Sequence, residues 1–404
     1  MDANRTVTEP SLLVSRTALL SNAALVRRTV GPRVRICAVV KANAYGHDAN
    51  LVVQTLSNAG AGFGNSPAVD EFAVSTFDEA NALGPCHLPV LVLRPVEAFL
   101  VSRQREVLEA AVQRGWTVTV CDATAAAEVA RVAVTCAKPA RVHVMVDTGM
   151  ARCGAAPEQL PDLLARITSL APLRLVSVST HLACSEVPRH GFTAEQLRRF
   201  RSVTDECLSR SPRRFLRHVA NSGAVFSTPL SHLDMVRPGI SLYGIDPSQG
   251  PSPDRPLRPA VKWVAPLIAV HRLESGQTVG YGQSWTARQP TRVGVVPVGY
   301  ADGYFREFSG RAVMLLAGKP CPVIGRVSMD MTCIDATDVP EAGVGDAVTV
   351  LDDDPHSPAS AYALAALARS IPYEVLSRVG SRVRRIAVDD TSHQWTGSLG
   401  AVAC

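Results

Sequence analysis

The residue that most directly suggests chemistry is Lys41, which ends an apolar run in the segment AVVKANAYGHD, residues 38–48. The chain has only four lysines among its 41 basic residues, so arginine supplies most of its positive charge. A lysine beside apolar strand residues loses hydration, which lowers the pKa of its amine and favours the neutral form. A neutral amine can attack an aldehyde and form a Schiff base. The alternative is a structural lysine that extends its charged end into solvent.

Further polar residues follow other apolar runs that are predicted to be strands. In chain order they are Asn43, Tyr45 and His47; Asp147, Thr148, Gly149 and Arg152; His181; His218, Asn221 and Ser222; and Arg237, Gly239 and Tyr243. In a parallel barrel the active site lies at the carboxyl ends of the strands. The pattern therefore predicts one site that is built from several strand ends.

Two glycine-containing turns, NSGA (221–224) and RPGI (237–240), predict a place for phosphate within this site. The loops after the seventh and eighth strands of barrels often bind phosphate, through backbone N–H groups. Together with a lysine that can form a Schiff base, these turns indicate a phosphorylated aldehyde as the cofactor. Pyridoxal 5'-phosphate is the candidate.

The elements that must position these residues alternate between strand and helix patterns up to about residue 248. The strand candidates are RICAVV, DEFAVST, LPVLVLR, WTVTVC, RVHVMV, LRLVSVST, the stretch around FLRHVAN, and DMVRPGISLYG. Eight such units predict an N-terminal (β/α)8 TIM barrel over residues 11–248, since this fold takes about 250 residues. A doubly wound open sheet is the alternative.

A proline-rich segment, IDPSQGPSPDRPLRP at residues 245–259, predicts a boundary after the barrel. Strand patterns dominate beyond it, with one helical pattern at SAYALAALARSI, which predicts a β-strand-rich domain over residues 259–390. Residues 391–404 are predicted to be a flexible tail. The predicted fold class is therefore α/β plus all-β.

Composition argues against several classes of protein. The formal net charge is +5 over 404 residues and the arginines are interspersed with acids, so no nucleic-acid partner is expected. No apolar run of about 18 residues and no secretory signal pattern is present, so no membrane association and a cytoplasmic location are expected. The ten cysteines include no CxxC pair and are expected to be reduced thiols, and no metal site is predicted.

Nine segments occur in the same order as the motifs of the alanine racemases, and the sequence resembles that family from about residue 11 to 388. The segments are AVVKANAYGHD, DTGMARCG, STHLACSE, HVANSGA, VRPGISLYG, VGYG, PVGYADGYFR, IGRVSMD and IPYEVLSRV. The resemblance implies a pyridoxal-phosphate barrel, a C-terminal β domain and a homodimer whose active sites are shared between subunits. It implies racemisation of a small amino acid, alanine first, with serine or a broader range as the alternative.

The resemblance also implies roles for individual residues. Lys41 binds the cofactor and acts as one catalytic base, and Tyr281 from the partner subunit acts as the other. His181 links Arg237, which faces the pyridine nitrogen, to Tyr281 by hydrogen bonds. The implied cofactor-binding set is Lys41, Tyr45, His181, Asn221, Ser222, Arg237, Gly239, Ile240 and Tyr373. The implied substrate-binding set is Arg152, Met329, Tyr300 and Tyr281. Arg306 and Glu186 line the substrate entrance with Tyr300, and Asp330 lies beside Met329.

These implied roles agree with the chemistry of racemisation. The proton at Cα is removed on one face and returned on the other, so two bases on opposite faces serve better than one. Arginine is effectively always protonated and cannot give the pyridine nitrogen a full proton. The carbanion is then less delocalised into the ring, which disfavours decarboxylation and transamination.

Two features depart from the pattern of the family. Many alanine racemases carry a carbamylated lysine two residues before the DTGM segment, where this chain has Met145. Arg152 then needs a chloride ion, a water molecule or another side chain to orient it. The segment at residues 60–72 is longer than usual and is expected to be a surface loop.

Two other functions share parts of the pattern. Barrel-plus-β decarboxylases of basic amino acids rely on an acidic group at the ring nitrogen and a catalytic cysteine from the partner, and the segments VRPG and VGYG argue against them. A non-catalytic pyridoxal-phosphate carrier resembles the barrel alone and has no evident need for the domain that carries Tyr281 and Met329.

Overall fold

The computed structural model describes residues 8–58, 67–96, 101–210, 214–248 and 250–391. Most of the long segment at 60–72 and the tail from 392 lie outside the described residues, so the predictions for both remain predictions. No helix in the described ranges is long and apolar enough to cross a membrane.

The first strand, β1 (Ser11–Ser15), does not pair with the barrel, although the sequence pattern groups residues from 11 onward with it. Instead β1 runs antiparallel to a strand at Val261–Pro266 and parallel to one at Arg384–Val388. All five residues of β1 are buried, as expected for a central strand of a covered sheet. The Ser15 hydroxyl then accepts the N–H of Ala18 and begins the first helix.

Eight parallel strands form the closed barrel. They are β2 (Arg35–Val39), β3 (Glu71–Val74), β4 (Val90–Pro95), β5 (Thr117–Val120), β6 (Ala140–Met145), β7 (Leu173–Ser179), β8 (Leu216–Asn221) and β9 (Met235–Arg237). The barrel closes because β9 pairs with β2, with Met235 opposite Arg35. The predicted TIM barrel is therefore confirmed, and the open-sheet alternative is wrong.

Helices cover the outside of the barrel. They are α1 (Arg16–Val30), α2 (Ala49–Ser57), α3 (Phe77–Ala82), α4 (Val101–Arg114), α5 (Ala123–Thr135), α6 (Leu160–Ser169), α7 (Gly191–Arg210) and α8 (Ser222–Ser227). Several begin at a side chain that accepts a hydrogen bond from the first turn, as Thr76 and Asp122 do for α3 and α5. Each of these caps fixes where the loop between a strand and its helix ends.

The C-terminal region is rich in strands, as predicted. Its strands are β10 (Val261–Pro266), β11 (Ala269–Leu273), β12 (Thr278–Val279), β13 (Trp285–Thr286), β14 (Thr291–Val296), β15 (Val313–Leu316), β16 (Lys319–Ile324), β17 (Thr332–Asp335), β18 (Ala347–Leu351) and β19 (Arg384–Val388). The main sheet has the order β11-β14-β17-β16-β15-β18-β10-β1-β19, and β12 pairs with β13. Two helices follow β18: α9 (Ala361–Ala368) and α10 (Pro372–Ser377).

One continuous strand pattern, PCPVIGRVSMDMTCI, folds differently from its appearance in the sequence. It forms two antiparallel strands, β16 and β17, with residues 325–331 as the connection. Gly325 has φ of 70° at the start of this connection, a conformation that glycine adopts at little cost. The connection carries Met329 and Asp330 to the surface.

Candidate active site

A cavity of about 470 Å3 opens at the carboxyl ends of the barrel strands. Its lining residues are Val39, Lys41, Tyr45, Ser75, Leu93, Arg94, Pro95, Met145, Arg152, Cys153, His181, Glu186, Asn221, Ser222, Arg237, Gly239, Ile240 and Tyr373. Every barrel residue that the resemblance assigns to cofactor or substrate binding is in this set. Seven of the strand-end residues that the sequence pattern also predicted for the site do not line the cavity: Asn43, His47, Asp147, Thr148, Gly149, His218 and Tyr243. The cavity is within the usual size range of small-molecule sites.

The chain leaves β2 through a turn of left-handed helix. Residues Ala42 to Tyr45 all have φ between 52° and 54°, a region that costs an L-residue about 1–2 kcal/mol. Two side chains hold the turn: Glu79 accepts the N–H of Ala42, and Asn43 accepts the N–H of Ala49, both at 2.8 Å. The turn lets both Lys41 and Tyr45 line the cavity, although they are only four residues apart.

The amine of Lys41 meets a mixed electrostatic environment. Its side chain is reachable from the cavity, yet the surrounding protein removes enough water to lower its pKa. The positive charges of Arg152 and Arg237 lower this pKa further, while the carboxylate of Glu79 raises it. The net direction is the one expected from the sequence, and it favours the neutral, nucleophilic amine.

Tyr45 and Gly239 meet at the cavity wall, where the segments after the neighbouring strands β2 and β9 come together. The ring of Tyr45 packs 4.9 Å from that of Tyr243 and 6.2 Å from that of Tyr373, measured between centroids. A Cβ atom at Gly239 would lie 2.4 Å from the Tyr45 hydroxyl, so only glycine leaves room for that side chain. Burial raises the pKa of the Tyr45 hydroxyl, which therefore stays protonated and can donate a hydrogen bond.

The turns after β8 and β9 are joined by the Ser222 hydroxyl. Its Oγ accepts the N–H groups of Gly239, at 2.9 Å, and Ser241, at 3.3 Å. Asn221 caps α8 because its Oδ1 accepts the N–H of Ala224, at 3.1 Å. Hydroxyls, backbone N–H groups and a glycine thus surround one end of the cavity.

Arg237 is buried at the base of the cavity and forms no salt bridge within the described residues. Its Nη1 donates to Nδ1 of His218 at 2.6 Å, and its Nη2 donates to the carbonyl of Thr180 at 2.8 Å. Burial lowers the pKa of Arg237 to about 10, so the group still carries its charge at neutral pH. The same charge and burial hold the pKa of His218 well below its usual value, so His218 is a neutral acceptor.

The implied hydrogen bond between His181 and Arg237 is not formed in the described part of the chain. The Arg237 nitrogens donate to His218 and to backbone carbonyls instead. His181 still lines the cavity, where burial and the charge of Arg237 lower its pKa to about 3. His181 is therefore neutral, and its link to Arg237 in the hydrogen-bond relay stays a prediction.

Neither Arg306, implied at the entrance, nor Asp330 lines this cavity, and neither do three implied substrate-binding residues: Tyr281, Tyr300 and Met329. Their side chains lie on the second domain and are 69%, 43% and 52% exposed, respectively. One chain therefore does not bring them together with Lys41. Tyr281 lies in a short turn between β12 and β13.

The turn of Tyr300 and the connection that carries Met329 are locked together. The N–H of Tyr300 donates to the Ser328 carbonyl, and that of Ala301 donates to the Met329 carbonyl, both at 3.0 Å. The guanidinium of Arg382 bridges these segments, at 3.0 Å from Asp302 and 2.9 Å from Asp330. These hydrogen bonds and ion pairs therefore fix the positions of Tyr300 and Met329 relative to each other.

Several lining residues escaped the sequence reasoning. Arg94 and Ser75 end or follow barrel strands, the same signal that identified Lys41, but neither belongs to a recognised motif. His218 was among the predicted strand-end residues; it does not line the cavity, and its role as the partner of Arg237 required the structure.

The donors around the cavity fit pyridoxal 5'-phosphate. Lys41 offers an amine of lowered pKa for an aldehyde, and Arg237 offers a buried cation for a ring nitrogen. The cradle that Tyr45, Ser222 and Gly239 form in the cavity wall offers hydroxyl and N–H donors for a phosphate.

Comparison with known proteins places this geometry in a family. Residues 14–247 match the N-terminal domain of alanine racemase and residues 260–387 match its C-terminal domain. The alanine racemase of Chlorobaculum tepidum is 37% identical over 378 residues, which span 93% of this chain and 94% of the relative.

Solved structures of alanine racemases have a similar fold. Alanine racemase from the D-cycloserine producer Streptomyces lavendulae superposes with a TM-score of 0.83 at 29% identity, covering 96% of this chain and 99% of that one. Alanine racemase from Bartonella henselae with covalently bound pyridoxal phosphate gives 0.79 at 27% identity, covering 94% and 100%. Since both family models and full-length relatives match, this chain belongs to the alanine racemase family.

Proposed function

We propose that this protein interconverts L-alanine and D-alanine with pyridoxal 5'-phosphate as its cofactor. The observation that carries the proposal is the pairing of Lys41, an amine of lowered pKa, with the buried cation Arg237 in one cavity at the barrel mouth. Membership of the alanine racemase family supports alanine as the substrate. The cytoplasmic location expected from the sequence stays a prediction.

When bound, the cofactor makes the Cα hydrogen of an attached amino acid acidic by accepting the electron pair left at Cα. Lys41 can take up and return a proton at Nζ because its lowered pKa brings the neutral amine within reach. Arg237 keeps its proton and does not transfer it to the ring, which limits side reactions. Arg152, at the cavity wall, is proposed to bind the α-carboxylate of the substrate.

The second base is proposed to come from another copy of the chain. Tyr281 lies outside the cavity of its own chain, and Tyr300, Met329 and Met331 are also exposed on the second domain. A cluster of exposed large apolar side chains is typical of a protein–protein interaction surface, whereas single ones are common on any surface. A homodimer that inserts these residues into the partner's cavity would supply the missing face of the site.

A racemisation assay across alanine, serine and the basic amino acids, started from each enantiomer, tests the activity. We expect conversion of alanine in both directions, abolished in Lys41→Ala together with the cofactor absorbance that borohydride shifts. A protein that shows the cofactor spectrum but racemises none of these amino acids would be a carrier, and the proposal would be wrong.

Mixing inactive variants tests the shared site. Lys41→Ala and Tyr281→Phe homodimers are each expected to be nearly inactive. After unfolding and refolding of an equal mixture, half of the dimers are mixed, and one of the two sites in each holds both intact residues. We expect about a quarter of the wild-type activity. Each variant refolded alone is the control, and no recovery in the mixture would contradict a shared site.

A further inference from the structure

Four cations line the cavity: Lys41, Arg94, Arg152 and Arg237. The proposed function assigns Lys41 to the cofactor aldehyde and catalysis, Arg237 to the ring nitrogen and Arg152 to the substrate α-carboxylate. Arg94 is left without a role. Among the described lining residues only Glu186 is an acid, so the cavity carries an excess of positive charge.

The position of Arg94 separates it from Asn221, which ends β8, and from Ser222, which follows it. It lies near the end of β4, where its N–H donates to the Ser75 carbonyl at 3.0 Å. Around the closed barrel, three strands separate β4 from β8 in each direction: β5 to β7 one way, and β3, β2 and β9 the other way. The two strands therefore lie opposite each other. Because β8 and the turn after it carry Asn221 and Ser222, Arg94 lies across the barrel from these two residues and shares the cavity with Met145 and Arg152.

The guanidinium of Arg94 has no hydrogen-bond or ion-pair partner within the described ranges. Met145, which also lines the cavity, is buried and uncharged, so it cannot neutralise Arg94 or Arg152. An arginine that faces a ligand cavity without a carboxylate presents a planar fork that matches a carboxylate in a bidentate manner.

We propose that Arg94 is a specificity-determining residue that binds a carboxylate on the side chain of the substrate. The pocket would then take amino acids with a short acidic side chain, such as aspartate, in addition to alanine. The α-carboxylate would bind Arg152 and the second carboxylate Arg94, while the proton at Cα is removed and returned by the same two bases. Turnover of such a substrate rests on the proposed function, whereas the binding of a dicarboxylate by Arg94 and Arg152 does not.

Binding is tested without turnover. Succinate, a dicarboxylate without an amine, is titrated calorimetrically into the holoenzyme in chloride-free buffer, with propionate as the one-carboxylate comparison. We expect succinate to bind more tightly than propionate. Arg94→Gln should weaken succinate about ten- to a hundredfold, the range for a lost hydrogen bond to a charged group, and Arg94→Lys should weaken it less. Arg166→Gln, an exposed arginine on α6, is the matched control and should leave succinate binding unchanged.

Kinetics provide the second measurement. The ratio of kcat/KM for aspartate to kcat/KM for alanine should fall at least tenfold in Arg94→Gln and be partly restored in Arg94→Lys. Succinate that binds no better than propionate, or an aspartate-to-alanine ratio unchanged by Arg94→Gln, would overturn the inference. An enzyme that racemises no amino acid but binds succinate through Arg94 would instead refute the proposed activity.

Discussion

Replacing Gly239 by alanine tests whether the cradle beside Tyr45 is as tight as the structure indicates. The added Cβ would lie 2.4 Å from the Tyr45 hydroxyl oxygen and 3.0 Å from its Cζ. Ordinary contacts between heavy atoms are about 3.5–4.0 Å, so the hydroxyl must move by about 1 Å or more. The φ of Gly239 is −119°, so its backbone is not in the left-handed region that favours glycine.

The ring of Tyr45 has little freedom to move away. Tyr243 and Tyr373 pack against it, and its own backbone belongs to the left-handed turn. Overpacking of this kind costs about 1–3 kcal/mol. If the strain falls on the position that Tyr45 needs for phosphate binding, cofactor affinity should fall about 5- to 150-fold.

The assay is a titration of the apoenzyme with pyridoxal 5'-phosphate, followed by absorbance, together with urea unfolding of the apoenzyme. Gly191→Ala is the matched control because a Cβ there meets no atom within 4 Å and the backbone φ is not positive. It measures the general gain of about 0.4–1 kcal/mol from lower entropy of the unfolded chain.

A second substitution separates the clash from other effects. Adding Tyr45→Phe to Gly239→Ala removes the oxygen at 2.4 Å and should restore part of the free energy of unfolding, without restoring cofactor affinity. The reasoning is refuted if Gly239→Ala binds the cofactor within twofold of Gly191→Ala, or if the double variant regains no stability.

Three further perturbations probe other parts of the molecule. Burial lowers the pKa of His47 from 6.5 to about 4, so between these values the unfolded chain binds a proton that the folded chain does not, and stability falls as the pH falls. Between pH 6.5 and 4, His47→Gln should reduce the slope of the free energy of unfolding, measured in urea, against pH by up to about 1.4 kcal/mol per pH unit. An unchanged slope would mean that other groups cause the loss of stability at low pH. Arg382→Ala, which removes the bridge to Asp330, should raise the KM for alanine more than Arg382→Lys does; equal KM values would contradict a positioning role. Gly299→Ala would place a Cβ 2.2 Å from the Met329 carbonyl oxygen and so displace the connection that carries Met329. Racemase activity should fall more than tenfold while the cofactor spectrum is retained. Loss of the spectrum would contradict the separation of this connection from the cofactor cavity.

Much of the barrel could be predicted because its strands are buried on both faces and appear as short apolar runs between helices. All eight predicted runs correspond to β2 to β9. Lys41 could be singled out for the same reason, since a charged residue at the end of such a run is unusual. The strands of the second domain could be predicted in the same way. The exception is PCPVIGRVSMDMTCI, one apolar stretch that forms two antiparallel strands.

Other features depend on distances that no local pattern contains. The pairing of β1 with β10 and β19 joins residues more than 240 positions apart, so the apolar run SLLVS could not reveal which sheet it enters. The hydrogen bonds of Arg237 depend on which acceptors the folded barrel brings into reach. In the described residues His218 accepts a hydrogen bond from Arg237, and the implied His181 side chain does not. Arg94 has no motif around it and is recognisable only because it lines the cavity.

The sequence by itself determined the strand and helix order, the lysine at the first strand end and the ordered motifs of the alanine racemase family, because each of these is a short-range pattern of residue types. Only the tertiary structure decided that the sheet closes, that Arg237 is buried without an acid, and that Arg94 shares a cavity with Arg152. It also decided that Tyr281 and Met329 are on the surface, away from the Lys41 of their own chain. The physical reason is that burial, pKa and charge balance are set by the groups packed around a side chain, and those groups come from distant parts of the sequence.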